Sequence, residues 1–363
     1  MNQIFHPKNP FTIGLELEVR LIDKNSMSPA NKSPYIFEHL PPKLKPHIHK
    51  ELLKSMIEIV TPVCESASEA TDFIMNALFE IAEIGKEKNI VLAALATHPF
   101  ERKEDNERFD DPRYDAFAKE LQIVLKNFLI SGLHIHIAMP DEHAAINSYN
   151  HTIHLLPLFL ALSASSPFHL GEDTGLQSYR SKIFERLPRA GIPEYFESYK
   201  EYMDLTDQLF ETGTIKSVKD IWWDVRIHQK FGTVELRVCD AFYNKTRLKL
   251  LTLLYRATLI YYSKKPAHRE PYQISKQNKW NAVRHGLNGK FIEKNRVMTI
   301  REKLHILVNE LKKADIFKEI DAENEIAPLH ELIDAPAISE KMRELYSVNG
   351  SLDSVIREEI VAV

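Results

Sequence analysis

The stretch FTIGLELEVRLID, at residues 11–23, decides the fold that we predict for this chain. Apolar side chains alternate with charged ones along it, and this period of two predicts a β-strand with one apolar and one charged face. Glu16 and Glu18 project from the charged face, roughly 6.6 Å apart at a rise of about 3.3 Å per residue. A divalent cation would account for such a pair, because hard ions such as Mg²⁺ prefer carboxylate oxygens. An edge strand whose acidic face meets water is the alternative, and this stretch alone does not decide between the two.

The composition excludes several classes of protein. Hydrophobic residues make up 44% of the chain and charged residues 27%, as in soluble globular proteins. A length of 363 residues allows one large domain or two ordinary ones. The formal net charge of −4 argues against a nucleic-acid partner, which requires a basic surface. Cys64 and Cys239 are the only cysteines, so we expect neither a disulfide framework nor a thiolate zinc site.

Targeting and membrane segments are not predicted. The first ten residues, MNQIFHPKNP, lack the basic and then apolar layout of a signal peptide. The most apolar run, residues 155–164, is too short to cross a bilayer and contains Pro157. We therefore expect a cytoplasmic protein without a membrane partner.

Three further segments alternate in the same way as residues 11–23. Residues 50–63 and 132–139 are predicted strands, and residues 221–228 and 233–239 form a predicted hairpin whose turn contains Gly232. Apolar residues at helical spacing predict helices at residues 66–87, 114–128, 143–163 and 248–262, followed by a mostly helical remainder. Strands and helices mixed without strict alternation predict an α+β fold.

Three connections carry little predicted secondary structure. Residues 23–46 are rich in proline, asparagine and lysine, and residues 101–115 are highly charged, so we expect both on the surface. Residues 165–193 form a polar segment longer than ordinary connections. Segments of that length are usually functional or disordered.

The four alternating segments each present polar side chains opposite an apolar face. These side chains are Glu16 and Glu18, then Glu58, then His134 and His136, then Glu235 and Arg237. Glu51 stands at the entrance to the second strand and adds another carboxylate. Two like charges 4 Å apart cost about 4 kcal/mol at an effective dielectric constant near 20. Cations must therefore neutralise such a face, and a carboxylate-rich set with histidine as a minor member suits Mg²⁺ or Mn²⁺ better than zinc.

Arginines complement the acidic face. Arg226, Arg237 and Arg284 lie in motif-like settings, and Arg180 and Arg189 lie in the long polar segment. Guanidinium groups hold carboxylates and phosphates through paired hydrogen bonds. Metal ions and arginines around an acidic cleft are the equipment of phosphoryl transfer, which depends on charge neutralisation and alignment. The sequence contains no glycine-rich phosphate loop, so metal ions and side chains would hold a nucleotide.

Structural roles remain open for several of these residues. His134 and His136 are also compatible with hydrogen-bonded structural histidines. The Trp222–Trp223 pair fits core packing as well as a substrate platform, and Asp224 and Arg226 fit a simple ion pair. Cys239 is expected to be a small buried apolar residue rather than a nucleophile.

The motifs, in their order along the chain, resemble the glutamate–cysteine ligase type 2 family, and more closely its YbdK-type carboxylate–amine ligase branch. The resemblance extends from residue 12 to residue 287. It is carried by the segments TIGLELEVRLID, ELLKSMIEIVTPV, SGLHIHIAMPD, SPFHLGEDTGLQSYR, IWWDVRIHQKFGTVELRVCD and NKWNAVRHGL.

The resemblance implies a glutamine synthetase-like catalytic fold, with a curved, mostly antiparallel sheet cradling the active site and helices packed behind it. It implies a single catalytic domain over residues 1–363, mainly helical from about residue 245. The implied reaction is the ATP-dependent joining of a glutamate-like carboxylate to an amine through an acyl phosphate. Weak glutamate–cysteine ligase activity is included, although cysteine need not be the amine. A homodimer is a further expectation.

The resemblance also assigns residues to roles. The implied metal ligands are Glu16, Glu18, Glu51, Glu58, His136 and Glu235. The implied catalytic residues are Arg237, Glu235 and Arg226. The implied nucleotide contacts are Arg237, Arg284, Asn278 and Glu58. The implied substrate contacts are His134, Arg180, Trp223 and Arg189. Ala138 and Ile227 stand where the family pattern has glycine and proline, which concerns the fit of the substrate rather than the reaction.

Two other functions fit part of the pattern. A metal-dependent amidohydrolase would use the same glutamates and His136 to activate water, but it leaves the arginines unexplained. A non-catalytic nucleotide or amino-acid sensor would bind the same ligands, but it need not keep every acidic position. The ligase is the function that accounts for both the carboxylates and the arginines.

Overall fold

A computed structural model of the chain describes residues 5–7, 9–266 and 268–361. In chain order, its strands are β1 (Ile13–Asp23), β2 (Ile48–Lys50), β3 (Met56–Val60), β4 (Ile90–Ala93), β5 (Gly132–Ala138), β6 (Phe168–His169), β7 (Glu172–Asp173), β8 (Ala190–Gly191), β9 (Trp222–Trp223), β10 (Val225–His228), β11 (Thr233–Asp240), β12 (Lys290–Glu293) and β13 (Arg296–Thr299).

In the same order, its α-helices are α1 (Ser33–His39), α2 (Ala67–Lys86), α3 (Pro112–Leu121), α4 (Ile123–Lys126), α5 (Glu142–Ser163), α6 (Tyr179–Phe184), α7 (Tyr199–Glu211), α8 (Lys245–Ser263), α9 (Tyr272–His285), α10 (Ile300–Lys313), α11 (Ile316–Glu319), α12 (Leu329–Asp334), α13 (Ile338–Asn349) and α14 (Leu352–Glu358).

A seven-stranded antiparallel sheet organises these elements around β1. Its strand order is β10-β11-β5-β1-β3-β2, and β4 pairs with the far end of β1. The apolar residues of β1 are at most 1% exposed, and helices α2 and α5 pack on that side of the sheet. The opposite face is left for polar side chains, as the alternation in residues 11–23 predicts. The α+β architecture is confirmed.

Several predicted elements differ in detail from the structure. Residues 50–63 are two strands, β2 and β3, joined by a turn that contains Glu51. Residues 114–128 are two helices, because Gln122 has a positive φ of 48° and breaks the helix between α3 and α4. The hairpin of β12 and β13 interrupts the C-terminal helices. Short elements of this kind carry too few residues to show a period.

The predicted surface connections are more ordered than expected. Residues 23–46 contain α1, whose Ile36 is fully buried. Residues 165–193 contain β6, β7, α6 and β8. The connection that begins at Glu101 starts in the core, because the Glu101 carboxylate lies 2.6 Å from the Arg20 guanidinium and both side chains are at most 2% exposed. The prediction of a surface loop from residue 101 was wrong at this end.

No helix in the described ranges combines the length and the apolar character needed to span a membrane. The longest apolar helix, α5, is buried against α8 and the sheet instead.

The C-terminal segment covers the edge of β4. Ile360 forms a bridge with Ala93, and the Val361 amide donates a 2.9 Å hydrogen bond to the Leu92 carbonyl oxygen. This pairing occupies backbone groups that an edge strand otherwise exposes. It also draws Glu359 into the interior, where burial and then the neighbouring Glu358 charge raise the pKa of its carboxyl to about 7.

The buried Glu359 predicts a pH dependence of stability. Because its pKa is about 7 in the fold against 4.5 ordinarily, the folded state holds more protons between these values, and stability falls as pH rises through this window. Between pH 5 and pH 8, the wild type should lose about 2–3 kcal/mol of its free energy of unfolding through this carboxyl, and Glu359→Gln should abolish that loss. Urea unfolding of both proteins at these two pH values measures the difference. Equal losses in wild type and variant would contradict the assignment.

Candidate active site

Neighbouring strands place the predicted polar residues opposite one another on one face of the sheet. Glu16 of β1 stands opposite His134 of β5, and Glu18 stands opposite Glu58 of β3. His136 of β5 stands opposite Glu235 of β11. Directly paired residues share a face, with Cβ atoms about 4.5–5.5 Å apart. The pairing therefore assembles side chains that are far apart in sequence.

Glu16, His136 and Glu235 form one end of this array. The His136 Nε2 atom lies 3.2 Å from a Glu16 carboxylate oxygen and 3.7 Å from a Glu235 oxygen. Neither approach makes a directed hydrogen bond, so the buried Nε2 has no hydrogen-bond partner among the described residues. The other ring nitrogen, Nδ1, is 3.0 Å from the Thr233 hydroxyl. This leaves Nε2 aimed between two carboxylates.

The ionisation of Glu16 and His136 is coupled. Burial opposes the charge on Glu16, but His136 and the hydrogen bond with His134 hold the pKa of Glu16 well below its ordinary value. Burial likewise opposes the charge on His136, but Glu235 and Glu16 raise the pKa of His136. The His134 Nδ1 atom lies 3.0 Å from the second oxygen of Glu16.

Glu18, Glu51 and Glu58 form the other end. One carboxylate oxygen from each lies within 4.8 Å of the others. Burial raises the pKa of Glu51 to about 8, and the charge of Glu18 adds to the effect. Burial and then the charge of Glu16 raise the pKa of Glu58 well above its ordinary value. Burial and the neighbouring carboxylates thus both disfavour the ionised forms of Glu51 and Glu58.

Glu16, Glu58 and His134 join the two ends, because their ligand atoms also lie within 4.8 Å of one another. The array is therefore continuous. An oxygen-rich donor set with one or two imidazoles and the unpartnered His136 Nε2 fits Mg²⁺ or Mn²⁺. Glu16, His136 and Glu235 would hold one ion, and Glu18, Glu51 and Glu58 a second.

Two arginines flank Glu235, which is fully buried. The Arg226 Nη2 and Nε atoms lie 2.7 and 2.9 Å from the same Glu235 oxygen, and Arg237 pairs with the other oxygen. Burial opposes the charge on Glu235, but Arg226 and Arg237 hold its pKa far below the ordinary value. The Arg237 Nε atom has no hydrogen-bond partner in the described part of the chain. Asp224 pairs with Lys279 rather than with Arg226.

A cavity of about 880 Å³ opens over the array. Its floor includes Glu16, Glu18, Glu51, Glu58, His134, Arg226 and Arg237. Apolar and aromatic residues of α3, α4, α6 and the connection after α4 form one wall; they include Phe117, Leu121, Leu125, Phe128 and Phe184. A second pocket of about 240 Å³ meets Glu16 and His136 and is lined mainly by apolar atoms of residues such as Ile13, Pro62 and Phe231.

Arg180 also lines the large cavity, as part of the predicted substrate set. Its guanidinium is 2% exposed and donates to the backbone carbonyl oxygen of Val238 at 3.3 Å. A Cβ atom at Gly132 would collide with this guanidinium, so the start of β5 requires glycine. The long polar segment therefore does reach the cavity through α6.

Five predicted site residues lie outside the described lining of both cavities. The first is Glu235, which is fully buried between Arg226 and Arg237. Arg189 donates to the Asp220 carbonyl oxygen, and its guanidinium lies 5.0 Å from the ring centre of Trp222. Trp223 packs against Tyr202, with ring centres 5.9 Å apart. Its neighbour Trp222 lines the cavity instead.

The other two residues brace the backbone. The Asn278 side chain exchanges hydrogen bonds of 2.7 and 2.8 Å with the backbone of Ile292, and Arg284 donates to the Gly175 carbonyl oxygen. Neither Asn278 nor Arg284, both expected to contact the nucleotide, lines a described cavity.

Other lining residues escaped the sequence analysis. Lys219 adds a positive charge to the large cavity, and His49 and His228 add imidazoles. His49 lies on β2 and stands opposite Glu58 of β3. A predicted strand that began at residue 48 rather than 50 would have included it. Lys219 lies in a 3-10 helix of three residues, Val218–Asp220, which is too short to show a periodicity.

Comparisons with known proteins agree on one family. The model of glutamate–cysteine ligase family 2 matches residues 12–358. A protein of Herpetosiphon aurantiacus named "Putative glutamate--cysteine ligase 2" is 32% identical over 98% of this chain and 94% of its own length. A protein of Gloeobacter violaceus with the same name is 31% identical over 96% of this chain and 95% of its own length.

Two solved structures share the fold. The bifunctional glutathione synthetase of Pasteurella multocida has a TM-score of 0.73 at 14% identity; the match covers 96% of this chain, which spans about half (51%) of that protein. The glutamate–cysteine ligase of Francisella tularensis, solved in complex with AMP, has a TM-score of 0.70 at 13% identity, covering 98% of this chain and 89% of that one. The predicted glutamine synthetase-like fold is confirmed.

The crowded carboxylates predict an unusual effect of one substitution. Glu58→Gln should stabilise the metal-free protein at pH 8 by about 1–3 kcal/mol, because it removes one of several like charges. It should also reduce the increase in melting temperature that Mg²⁺ causes, because a ligand is lost. Differential scanning calorimetry in chelator and in Mg²⁺ measures both effects.

Glu83→Gln, on the exposed face of α2, is the matched control and should change neither quantity. A Glu58→Gln protein that is less stable in chelator, or that responds to Mg²⁺ as wild type does, would contradict the metal assignment.

Proposed function

We propose that this chain, which belongs to glutamate–cysteine ligase family 2, joins a glutamate-like carboxylate to an amine through an acyl phosphate. Membership of the family makes it an ATP-dependent ligase that forms C–N bonds. The observation that carries the finer proposal is the continuous array of carboxylates, with two arginines at one end and three crowded carboxylates at the other. Phosphoryl transfer relies on bound metal ions and cationic side chains to neutralise charge and align the reactants.

The proposed reaction consists of two successive nucleophilic displacements. A carboxylate oxygen of the acid attacks the γ-phosphorus of ATP, forming a C–O–P bond while ADP leaves. The amine nitrogen then attacks the acyl carbon, phosphate leaves, and the nitrogen loses a proton. Mg²⁺ or Mn²⁺ ions would be held by the two ligand clusters of the array, one around Glu16 and His136 and one around Glu51 and Glu58. They would neutralise the phosphate oxygens and align the reactants. Cysteine is one candidate amine.

Arg237 is the residue best placed to stabilise the phosphoryl group in the transition state of its transfer. It lines the cavity, one of its nitrogens pairs with Glu235, and its Nε is still unpartnered among the described residues. Arg226 would act indirectly, by holding Glu235 in place. Its guanidinium donates to Glu235 and to the carbonyl oxygens of Val218 and Ile221. A donor fixed before the reaction needs no reorganisation during it.

The two cavities suit the two kinds of substrate. The small apolar pocket beside Glu16 and His136 fits the flat, apolar face of a purine base. Arg180, Arg237 and Lys219 line the large cavity and supply positive charge for the carboxylate of the acid. The aromatic wall excludes water, which protects an acyl phosphate from hydrolysis.

A phosphate-release assay tests the ligase function. The protein with ATP, Mg²⁺, glutamate and a panel of amines should release phosphate and form an amide detectable by mass spectrometry. Glu16→Gln should lower kcat by at least about a hundredfold, and Arg237→Lys by about 10²–10³-fold, because each removes charge stabilisation made in the transition state. Glu197→Gln, an exposed carboxylate, should keep full activity.

The alternatives give different results in this assay. Turnover of amides without ATP would identify an amidohydrolase, and tight binding of ATP or glutamate without product would identify a sensor. Either result, with folded protein confirmed by circular dichroism, overturns the ligase proposal.

The aromatic wall makes a separate prediction. Phe117→Ala should raise phosphate release in the absence of amine relative to amide formation, because a gap in the wall admits water to the acyl phosphate. Phe79→Ala, on α2 and outside the cavity, is the matched control. An unchanged ratio of phosphate to amide in Phe117→Ala would show that the wall does not protect the intermediate.

A further inference from the structure

A second cluster of metal-binding side chains lies away from the carboxylate array. It consists of His154 on α5 and of His268 and Glu270 in the connection between α8 and α9. One ligand atom from each of the three lies within 4.8 Å of the others. None of the three lines the cavities described above. The inference below does not depend on the ligase function.

The geometry of His268 and Glu270 is that of two ligands of one ion. The His268 Nε2 atom is 3.2 Å from a Glu270 carboxylate oxygen, without forming a directed hydrogen bond, and Nε2 has no other partner among the described residues. Ligands about 2.1 Å from a tetrahedral zinc ion stand about 3.4 Å from each other. The imidazole rings of His154 and His268 have centres 4.5 Å apart.

The cluster is largely withdrawn from solvent. His154 is only 5% exposed. Glu270 is only 7% exposed, and a carboxylate so buried requires a positive partner.

A second layer of contacts fixes His154. Its Nε2 lies 3.0 Å from a Glu293 oxygen, and the Lys303 ammonium group lies 2.8 and 2.9 Å from the two oxygens of Glu293. Phe291 packs edge-on against the His154 ring, with centres 5.2 Å apart. Carboxylates that orient a histidine in this way are typical of metal sites.

We propose that His154, His268 and Glu270 form a site for a transition-metal ion, Zn²⁺ being the best match. Two imidazoles and one carboxylate are a common zinc donor set, whereas Mg²⁺ prefers oxygen ligands alone. The ion would hold His268 and Glu270 against α5. These two residues precede α9, whose buried Lys279 forms ion pairs with Asp224 and Glu185. The proposed role of the ion is to fix the start of α9, which contacts the residue before β10 through Lys279 and Asp224.

Metal analysis of the intact protein tests the site. The full chain is stripped with a chelator, dialysed against Zn²⁺ in a large excess of Mg²⁺, and analysed for bound zinc by mass spectrometry. Excess Mg²⁺ occupies the carboxylate array, so we expect one Zn²⁺ per chain to remain. Co²⁺ in place of Zn²⁺ should give the strong visible absorption of a tetrahedral site with nitrogen and oxygen ligands.

Variants separate this site from other sources of zinc binding. His268→Ala and Glu270→Gln should each lose the bound zinc and the zinc-dependent rise in melting temperature. Glu293→Gln should weaken Zn²⁺ binding about 10–100-fold, as expected for a group that orients a ligand. Glu16→Gln in the carboxylate array should keep the zinc. His305→Ala is the matched control, because His305 stacks on His330 at the surface with ring centres 5.1 Å apart.

Two results would overturn the proposal. Wild type without bound Zn²⁺ in excess Mg²⁺ would show that the cluster is an ordinary ion pair. Zinc content in folded His268→Ala or Glu270→Gln equal to that of wild type would show that the ion binds elsewhere.

Discussion

Repulsion among carboxylates on one face of β1 and its neighbours is the constraint on which the rest of the structure depends. The apolar residues on the other face of β1 are at most 1% exposed to solvent. A slip of one residue in the pairing would carry Glu16 and Glu18 into that core and expose the apolar residues. The hydrophobic core thus holds together charges that would otherwise separate. The free energy of the core is what makes the acidic face sustainable.

The charge on this face is balanced unequally from one end to the other. At Glu235, two arginines supply permanent positive charge. At Glu51 and Glu58, burial and the charges of neighbouring carboxylates raise the pKa instead. The two ends of the face therefore differ in how their carboxylates are balanced: by fixed guanidinium groups at Glu235, and by no comparable ion pair with arginine or lysine at Glu51 and Glu58 among the described residues.

The sequence predicts the sheet face well and the loops poorly, for a physical reason. Strand periodicity assigns each residue to a face, so the alternation predicts that Glu16, His134 and Glu235 lie on polar faces; the strand pairing then brings them together. No such rule applies to Glu51, which lies between β2 and β3, or to Lys219, which lies in a 3-10 helix of three residues. The resemblance implies a contact from Trp223, but Trp222 lines the cavity; β9 has only two residues, too few to show a period. Asn278 and Arg284 belong to a motif, yet their contacts are with backbone atoms of Ile292 and Gly175.

The division of the cavity into floor and wall indicates where substrate selectivity resides. Under the proposed function, the floor residues would act on carboxylate and phosphate groups, and the strand pairing of the sheet fixes their positions relative to one another. The wall comes from α3 and α4, which the break at Gln122 turns so that Leu121 and Leu125 both face the cavity. The segment that leads into α3 is anchored at its start by the buried pair of Arg20 and Glu101, whereas its ion pairs Lys103–Glu104 and Lys54–Glu107 are partly or largely exposed. Exposed pairs contribute at most about 1 kcal/mol. The wall is thus held less firmly by ion pairs than the sheet is by its strand pairing, so under the proposed function the wall would select the amine and the sheet would carry the shared chemistry.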